Sequence, residues 1–316
     1  MNQQSILFGN GFNLLTQGTP SWDDLIYDIS SILWDDRIPN TLKYEAIILG
    51  KPYNRNTYLA TEDGKFITTE DGRMILLSSE TSESKLKRDI ASRVKNFKTN
   101  PAYYRLAELK ADHYLTTNYD NTLIFTIGEE NLETKLKSER LYSLRRLYSL
   151  TNSEKLTYYW PIHGNIDTPP TIMLGFDHYC GALNKIESYI KGALEMPRIG
   201  LVDSISDRLK AKNIQILSWV DLFFISDIHI IGLGLSFQET DLWWLLNKRA
   251  RMKWAEENIT NRIFFYPTLN FTKETRQMLR QFDVEIIEPS NYSLLPMDIY
   301  MEQLEKIHAY MYYGKH

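Results

Sequence analysis

Apolar residues recur along this chain in two rhythms. Short, nearly continuous runs at 5–8, 114–117, 158–162, 228–231, 262–266 and 284–287 read as strands buried on both faces. Between them the spacing is helical. Trp22, Leu25, Ile26, Ile29, Ile32 and Leu33 mark one amphipathic face, opened by Ser21 and Asp24 as an N-cap pair. Helices are also predicted at 85–97, 101–111, 121–127, through the charged segment 129–150, and across 181–217 with breaks near Pro197 and Gly200. Others follow at 242–255, 273–281 and 297–313, and one more short strand is predicted at 171–175. Strands alternating with helices imply an α/β fold, a Rossmann-like doubly wound parallel sheet.

The rhythm breaks between about 35 and 100. Two similar segments, Glu62-Asp63-Gly64-Lys65 and Glu70-Asp71-Gly72-Arg73, place Asp-Gly turns between β-formers and predict a small hairpin or meander. A polar linker (78–84) and a surface helix (85–97) follow, its Lys and Arg residues read as a solvated face. This region reads as a mostly helical inserted subdomain within a single domain, 1–316. The tyrosine-rich segment from 297 to 316 is expected to dock on the core or to serve a subunit interface.

Composition narrows the classes. A net charge of -4 gives no global attraction to nucleic acid or anionic membrane, so direct nucleic-acid binding is not expected. The first residues lack the charged start and long apolar stretch of a signal peptide, and the apolar region 219–237 is broken by Asp221 and Asp227. A cytoplasmic location is the expectation. The single cysteine, Cys180, excludes an internal disulfide and a four-cysteine zinc site; it reads as a small buried hydrophobe. His113, His178, His229, His308 and His316 have no partner pattern and read as structural or surface residues. No metal-ligand spacing is present, and no metal is expected.

Chemistry concentrates where the strands end. The first strand runs into Gly9-Asn10-Gly11-Phe12-Asn13, and the strand at 228–231 into Gly232-Leu233-Gly234-Leu235-Ser236 with Asp241 five residues on. Glycines after a strand let the backbone approach a phosphate closely. The strand at 114–117 ends in Thr117, Asn118 and Asp120, and that at 158–162 delivers His163-Gly164. Open α/β sheets bind ligands at the carboxyl ends of their strands, so these groups would share one pocket. Asn118 and Asp120 are also residue types that cap helices, and the predicted helix 121–127 starts directly behind them.

Taken in order, Phe8-Gly9-Asn10-Gly11-Phe12, Gly18-Thr19-Pro20-Ser21-Trp22, Thr116-Thr117-Asn118-Tyr119-Asp120, Ile162-His163-Gly164 and Gly232-Leu233-Gly234-Leu235-Ser236 with Asp241 resemble the bacterial SIR2-like domain. More narrowly, the chain resembles NAD-hydrolysing SIR2-like effectors of antiphage defence and related abortive-infection proteins. The resemblance implies an NAD glycohydrolase that depletes NAD, working as a homo-oligomer or with a partner such as a motor ATPase or an argonaute-like protein. It implies that Asn118 orients the attacking water or ribose hydroxyl, that Asp120 lies near the carboxamide, and that His163 is the general base. It further implies that Gly9, Asn10 and Gly11 form the diphosphate loop and that Phe12 and Thr117 are also cofactor-binding. Gly232, Gly234 and Ser236 would then form the adenosine-side loop. Asp241 falls where the family carries an acid, for which helix capping is the first expectation. Two departures are visible. Lysine-deacylating sirtuins carry a four-cysteine zinc module that this chain cannot build, and the first loop reads Gly-Asn-Gly where sirtuins have Gly-Ala-Gly.

Overall fold

The computed structural model describes residues 2–32, 34–49, 59–60, 66–68, 74–76, 82–136, 141–152, 155–211 and 214–314. Its centre is an eight-stranded sheet made of β1 (Gln3–Phe8), β2 (His113–Thr116), β3 (Leu132–Leu136), β4 (Leu147–Asn152), β5 (Lys155–Pro161), β6 (Ser226–Ile231), β7 (Ile263–Tyr266) and β8 (Val284–Ile286). The strands lie in the order β8-β7-β6-β1-β2-β5-β4-β3. Every neighbouring pair from β8 through to β5 is parallel, whereas β5-β4 and β4-β3 are antiparallel. Counting only the parallel strands, the spatial order is 3-2-1-4-5-6. That is the Rossmann-type winding, whose switch point lies beside the first strand.

The burial of these strands explains their apolar runs. All six residues of β6 and all four of β2 and β7 are buried, because helices cover both sheet faces. One face packs Leu7, Leu115, Ile228, Ile230 and Phe265 against the helices Phe176–Ile190, Trp219–Ile225 and Thr240–Trp254. The other packs Phe8, Tyr114 and Phe264 against the helices Pro101–Glu108 and Pro296–Tyr313. The terminal helix is therefore docked, burying Ile299, Tyr300, Leu304 and Ile307.

A third cluster covers the carboxyl end of the sheet. The helices Trp22–Ser30, Asn40–Leu49 and Ser82–Val94 bury Leu25, Tyr44, Leu86 and Ile90 together with Tyr119 and Ile172. Within the 35–100 region the predicted Asp-Gly turns lie outside the described residues, as does Leu33. Three short strands there, Leu59–Ala60, Phe66–Thr68 and Met74–Leu76, pair as an antiparallel meander. The helix Ser82–Val94 is not a merely solvated surface: Leu86, Lys87, Ile90, Ala91 and Val94 are buried.

Several sequence expectations need correction. Segment 129–150 is not a helix. After a short 3-10 turn, Glu129–Asn131, it forms β3 and β4, which extend the sheet as an antiparallel margin. Residues 171–175 form no strand; a 3-10 turn, Pro169–Thr171, leads instead into an unpaired stretch against Tyr119. Helix in 181–217 is limited to the end of Phe176–Ile190 and to Ile205–Lys210, with a small hairpin, Glu195–Met196 and Gly200–Leu201, around Pro197. Cys180 is exposed rather than buried. Among the described residues no helix is long and apolar enough to cross a membrane.

Candidate functional site

Strand register brings the loops together. Phe8 pairs with Thr116 and with Ile231, and Thr116 pairs with Pro161, so Gly9, Thr117, Ile162 and Gly232 leave the sheet at one level. The two glycine loops touch there. Gly11 N–H donates to Gly232 O at 2.9 Å, and a Cβ at Gly11 would lie 2.7 Å from that oxygen and overlap the Tyr300 hydroxyl. Gly232 takes φ +65° against the Phe12 ring, a conformation and a contact that only glycine accepts cheaply. Leu235, in the same loop, is held at φ 43° without being glycine.

Above this contact lies a cleft of two lobes. The larger, of about 490 Å³, is lined by Asn10, Gly11, Thr117, Gly232, Gly234 and Ser236, with an apolar wall that includes Leu269, Phe271 and Tyr300. The smaller, of about 150 Å³, runs under the covering helices past Trp22, Tyr119, Tyr179 and His163. Trp22, Asn40, Thr117, Ser236 and Glu239 border both lobes. The larger volume falls in the ~300–1,000 Å³ usual for small-molecule sites. No lysine or arginine lines either lobe among the described residues.

His163 has polar partners on both ring nitrogens. It is 1% exposed, its Nε2 lies 2.8 Å from Asp241 Oδ2, and its Nδ1 lies 3.4 Å from Tyr179 Oη and 3.7 Å from Glu239 Oε2. The Tyr179 ring meets the imidazole edge-on, 5.2 Å between centroids. Burial pushes the imidazole down, but the charges of Asp241 and Glu239 outweigh it and its pKa stands above the ordinary value. Burial pushes the Glu239 carboxyl up to about 7; the His163 charge opposes this and Asp241 adds to it. The nitrogen and oxygen atoms of His163, Glu239 and Asp241 lie within 4.8 Å of one another, a donor set able to take a metal ion. The Nε2–Asp241 bond occupies one of the nitrogens such an ion would need.

Other predicted residues sit elsewhere. Gly9 packs on Leu233 and Phe12 lies in an aromatic cluster with Tyr103 and Tyr300; neither lines the cleft. Asp120 is a clasp beneath it. Its Oδ2 accepts from Asn13 Nδ2 at 2.8 Å and its Oδ1 from Thr122 N–H at 3.0 Å, which ties the first loop to the start of the helix Thr122–Ile127. Burial raises its pKa against the pull of those bonds. Asn118 is 2% exposed, beside the Tyr103 phenol, with no hydrogen bond of ordinary geometry to its amide. Asp241 does more than cap: Oδ1 accepts the adjacent Leu242 N–H while Oδ2 holds His163.

Sequence reasoning missed Glu239, Tyr179, Tyr119 and Asn40. Glu239 stands in the polar run Gln238-Glu239-Thr240, where it reads as a helix start, and Tyr179 lies on a helix 16 residues past His163. The remaining described histidines vary. His229 is buried between Gln4 and Tyr266, His113 bonds Trp160, and His178 accepts the N–H groups of Leu174 and Gly175. No family model and no curated protein matches this chain.

Proposed function

We propose that the protein is an NAD glycohydrolase. It would bind NAD across the switch-point cleft and cleave the bond between nicotinamide and ribose, releasing nicotinamide and ADP-ribose. The observation that carries this reading is the convergence of a buried, acid-held histidine and two glycine loops on one cleft at the Rossmann switch point. Gly234 supports it: nothing lies within 4 Å of the position a Cβ would take, so a ligand can approach the backbone.

In the proposed reaction the C1′–N bond breaks with its electron pair moving to the nicotinamide ring, and water attacks the ribosyl cation. His163 takes the water proton. With no cationic side chain at the cleft among the described residues, the diphosphate would rest on backbone N–H groups. The resemblance extends the proposal to a role: NAD depletion in antiphage defence, by a cytoplasmic homo-oligomer or under a partner such as a motor ATPase or argonaute-like protein.

A second reading has its own observation. Asn118 and Asp120 do not line the cleft, which favours a domain that binds NAD or ADP-ribose, or a scaffold subunit, without hydrolysis. Incubation with NAD, with His163→Ala alongside, separates the two. Nicotinamide release by the wild type only supports the hydrolase, and calorimetric binding without release supports the binder. Neither binding nor release would sink the hydrolase and the binder and leave the scaffold.

A further inference from the structure

The inference rests on the reading of His163 as base, and it concerns which nitrogen acts and what fixes it. The two ring nitrogens have different surroundings. Nε2 meets Asp241, a carboxylate 1% exposed, at 2.8 Å. Nδ1 meets the two groups that line the small lobe with it, Tyr179 Oη at 3.4 Å and Glu239 Oε2 at 3.7 Å. We propose that Asp241 is the positioning residue of this site: it holds the ring as the Nε2–H tautomer and leaves Nδ1, on the cleft side, to take the water proton.

The chemistry of the neighbours agrees. An ionised carboxylate only accepts hydrogen bonds, so the proton in the 2.8 Å contact belongs to Nε2. Asp241 lies in the first turn of the helix Thr240–Trp254, at the positive end of the helix dipole. Its second oxygen is anchored by Leu242 N–H at 3.0 Å, which fixes the carboxylate in turn. An unprotonated Nδ1 accepts from the Tyr179 hydroxyl.

The step balances. The water oxygen forms a bond to C1′ as the C1′–N pair leaves with neutral nicotinamide, and one water proton passes to Nδ1. The imidazolium then stands between Asp241 and Glu239. Glu239 Oε2, 3.7 Å away and without a hydrogen-bond partner, is placed to relay that proton to solvent as ADP-ribose departs. The titratable and charged groups facing the ring are Asp241, Glu239, Tyr179 and Arg146.

Two measurements test this, the first without any activity. Long-range proton–nitrogen NMR of histidine-labelled protein, with His163 assigned by its loss in His163→Gln, should show a protonated Nε2 and a bare Nδ1 in the neutral ring. A protonated Nδ1 overturns the proposal even if NAD is hydrolysed. The second is Asp241→Asn, whose amide can donate to Nε2 and so favour the opposite tautomer. We expect kcat to fall at least ~100-fold with NAD affinity within ~3-fold. We also expect the acid limb of kcat to move to lower pH, since the imidazolium loses its carboxylate. A limb that does not move, or an affinity loss equal to the kcat loss, overturns it. Wild-type protein that never turns over NAD would sink the glycohydrolase reading instead, and would leave the tautomer result standing.

Discussion

Removing the Asp120 carboxylate by Asp120→Ala should cost the fold ~2–4 kcal/mol, and the structure supplies the terms. The side chain is 5% exposed and accepts two hydrogen bonds, from Asn13 Nδ2 at 2.8 Å and Thr122 N–H at 3.0 Å. Deletion leaves the Thr122 N–H buried at a helix start without its acceptor, worth ~1–3 kcal/mol. Asn13 suffers less, because its Nδ2 keeps Asn10 Oδ1 at 3.0 Å while its Oδ1 still accepts from Tyr103. Its charge-assisted bond therefore counts near the lower end of ~1.5–3 kcal/mol. Burial of the carboxylate is itself unfavourable, as its raised pKa records, and this trims the sum. The pH dependence has a definite sign. The folded pKa is higher than the unfolded one, so the native state binds more protons between the two, and stability declines as pH rises through that window. Urea unfolding of wild type and Asp120→Ala at pH 7, compared at equal m-values, measures the difference. A change below ~0.5 kcal/mol would refute the clasp. So would a wild-type minus Asp120→Ala difference that grows with pH across the acid range.

Four further outcomes follow from other parts of the structure. Gly11→Ala should destabilise by ~1–3 kcal/mol in the same assay, and Tyr300→Phe should recover only part of it, because the Gly232 carbonyl remains 2.7 Å from the added carbon. Because no cation lines the cleft among the described residues to meet an added 2′-phosphate, calorimetry should show NADP binding at least ~10-fold more weakly than NAD; equal affinity would show the cleft electrostatics misread. His178 has its pKa lowered, first by burial and then by Lys87, and its Nδ1 accepts two backbone N–H groups. Stability should therefore fall as pH drops below ~6.5, where the unfolded histidine takes up its proton first, and His178→Gln should flatten that slope. Under native conditions Cys180 should react fully with a thiol reagent within the time an unfolded control requires; strong protection would contradict its exposure.

Most of the sheet was legible because its strands are buried on both faces, and such segments read as uninterrupted apolar runs. Residues 5–8, 228–231 and 263–266 are of this kind. β3 and β4 were illegible for the opposite reason. At the margin of the sheet, Glu133 and Lys135 read in sequence as part of a solvated helix, and only antiparallel pairing, β3 onto β4 and β4 onto β5, makes strands of the segment. The histidine was found because a strand delivers it, and Asp241 because it follows a glycine loop. Their meeting was not legible, since 78 residues separate them and a hydrogen bond leaves no mark on sequence spacing. Glu239 was missed on the same ground. A glutamate beside a threonine looks like a helix start until the fold puts a histidine next to it.

The contact between Gly11 and Gly232 also bears on when the cleft comes into being. Its two halves lie 221 positions apart, and the lining needs both, together with His163 from between them. A chain emerging from the ribosome can assemble β1, β2 and β5 early, yet the floor of the cleft stays incomplete until β6 and its loop have been synthesised. Nascent or truncated copies that end before residue 232 therefore have no place to bind a dinucleotide. The geometry ties any such capacity to synthesis of the chain past residue 232.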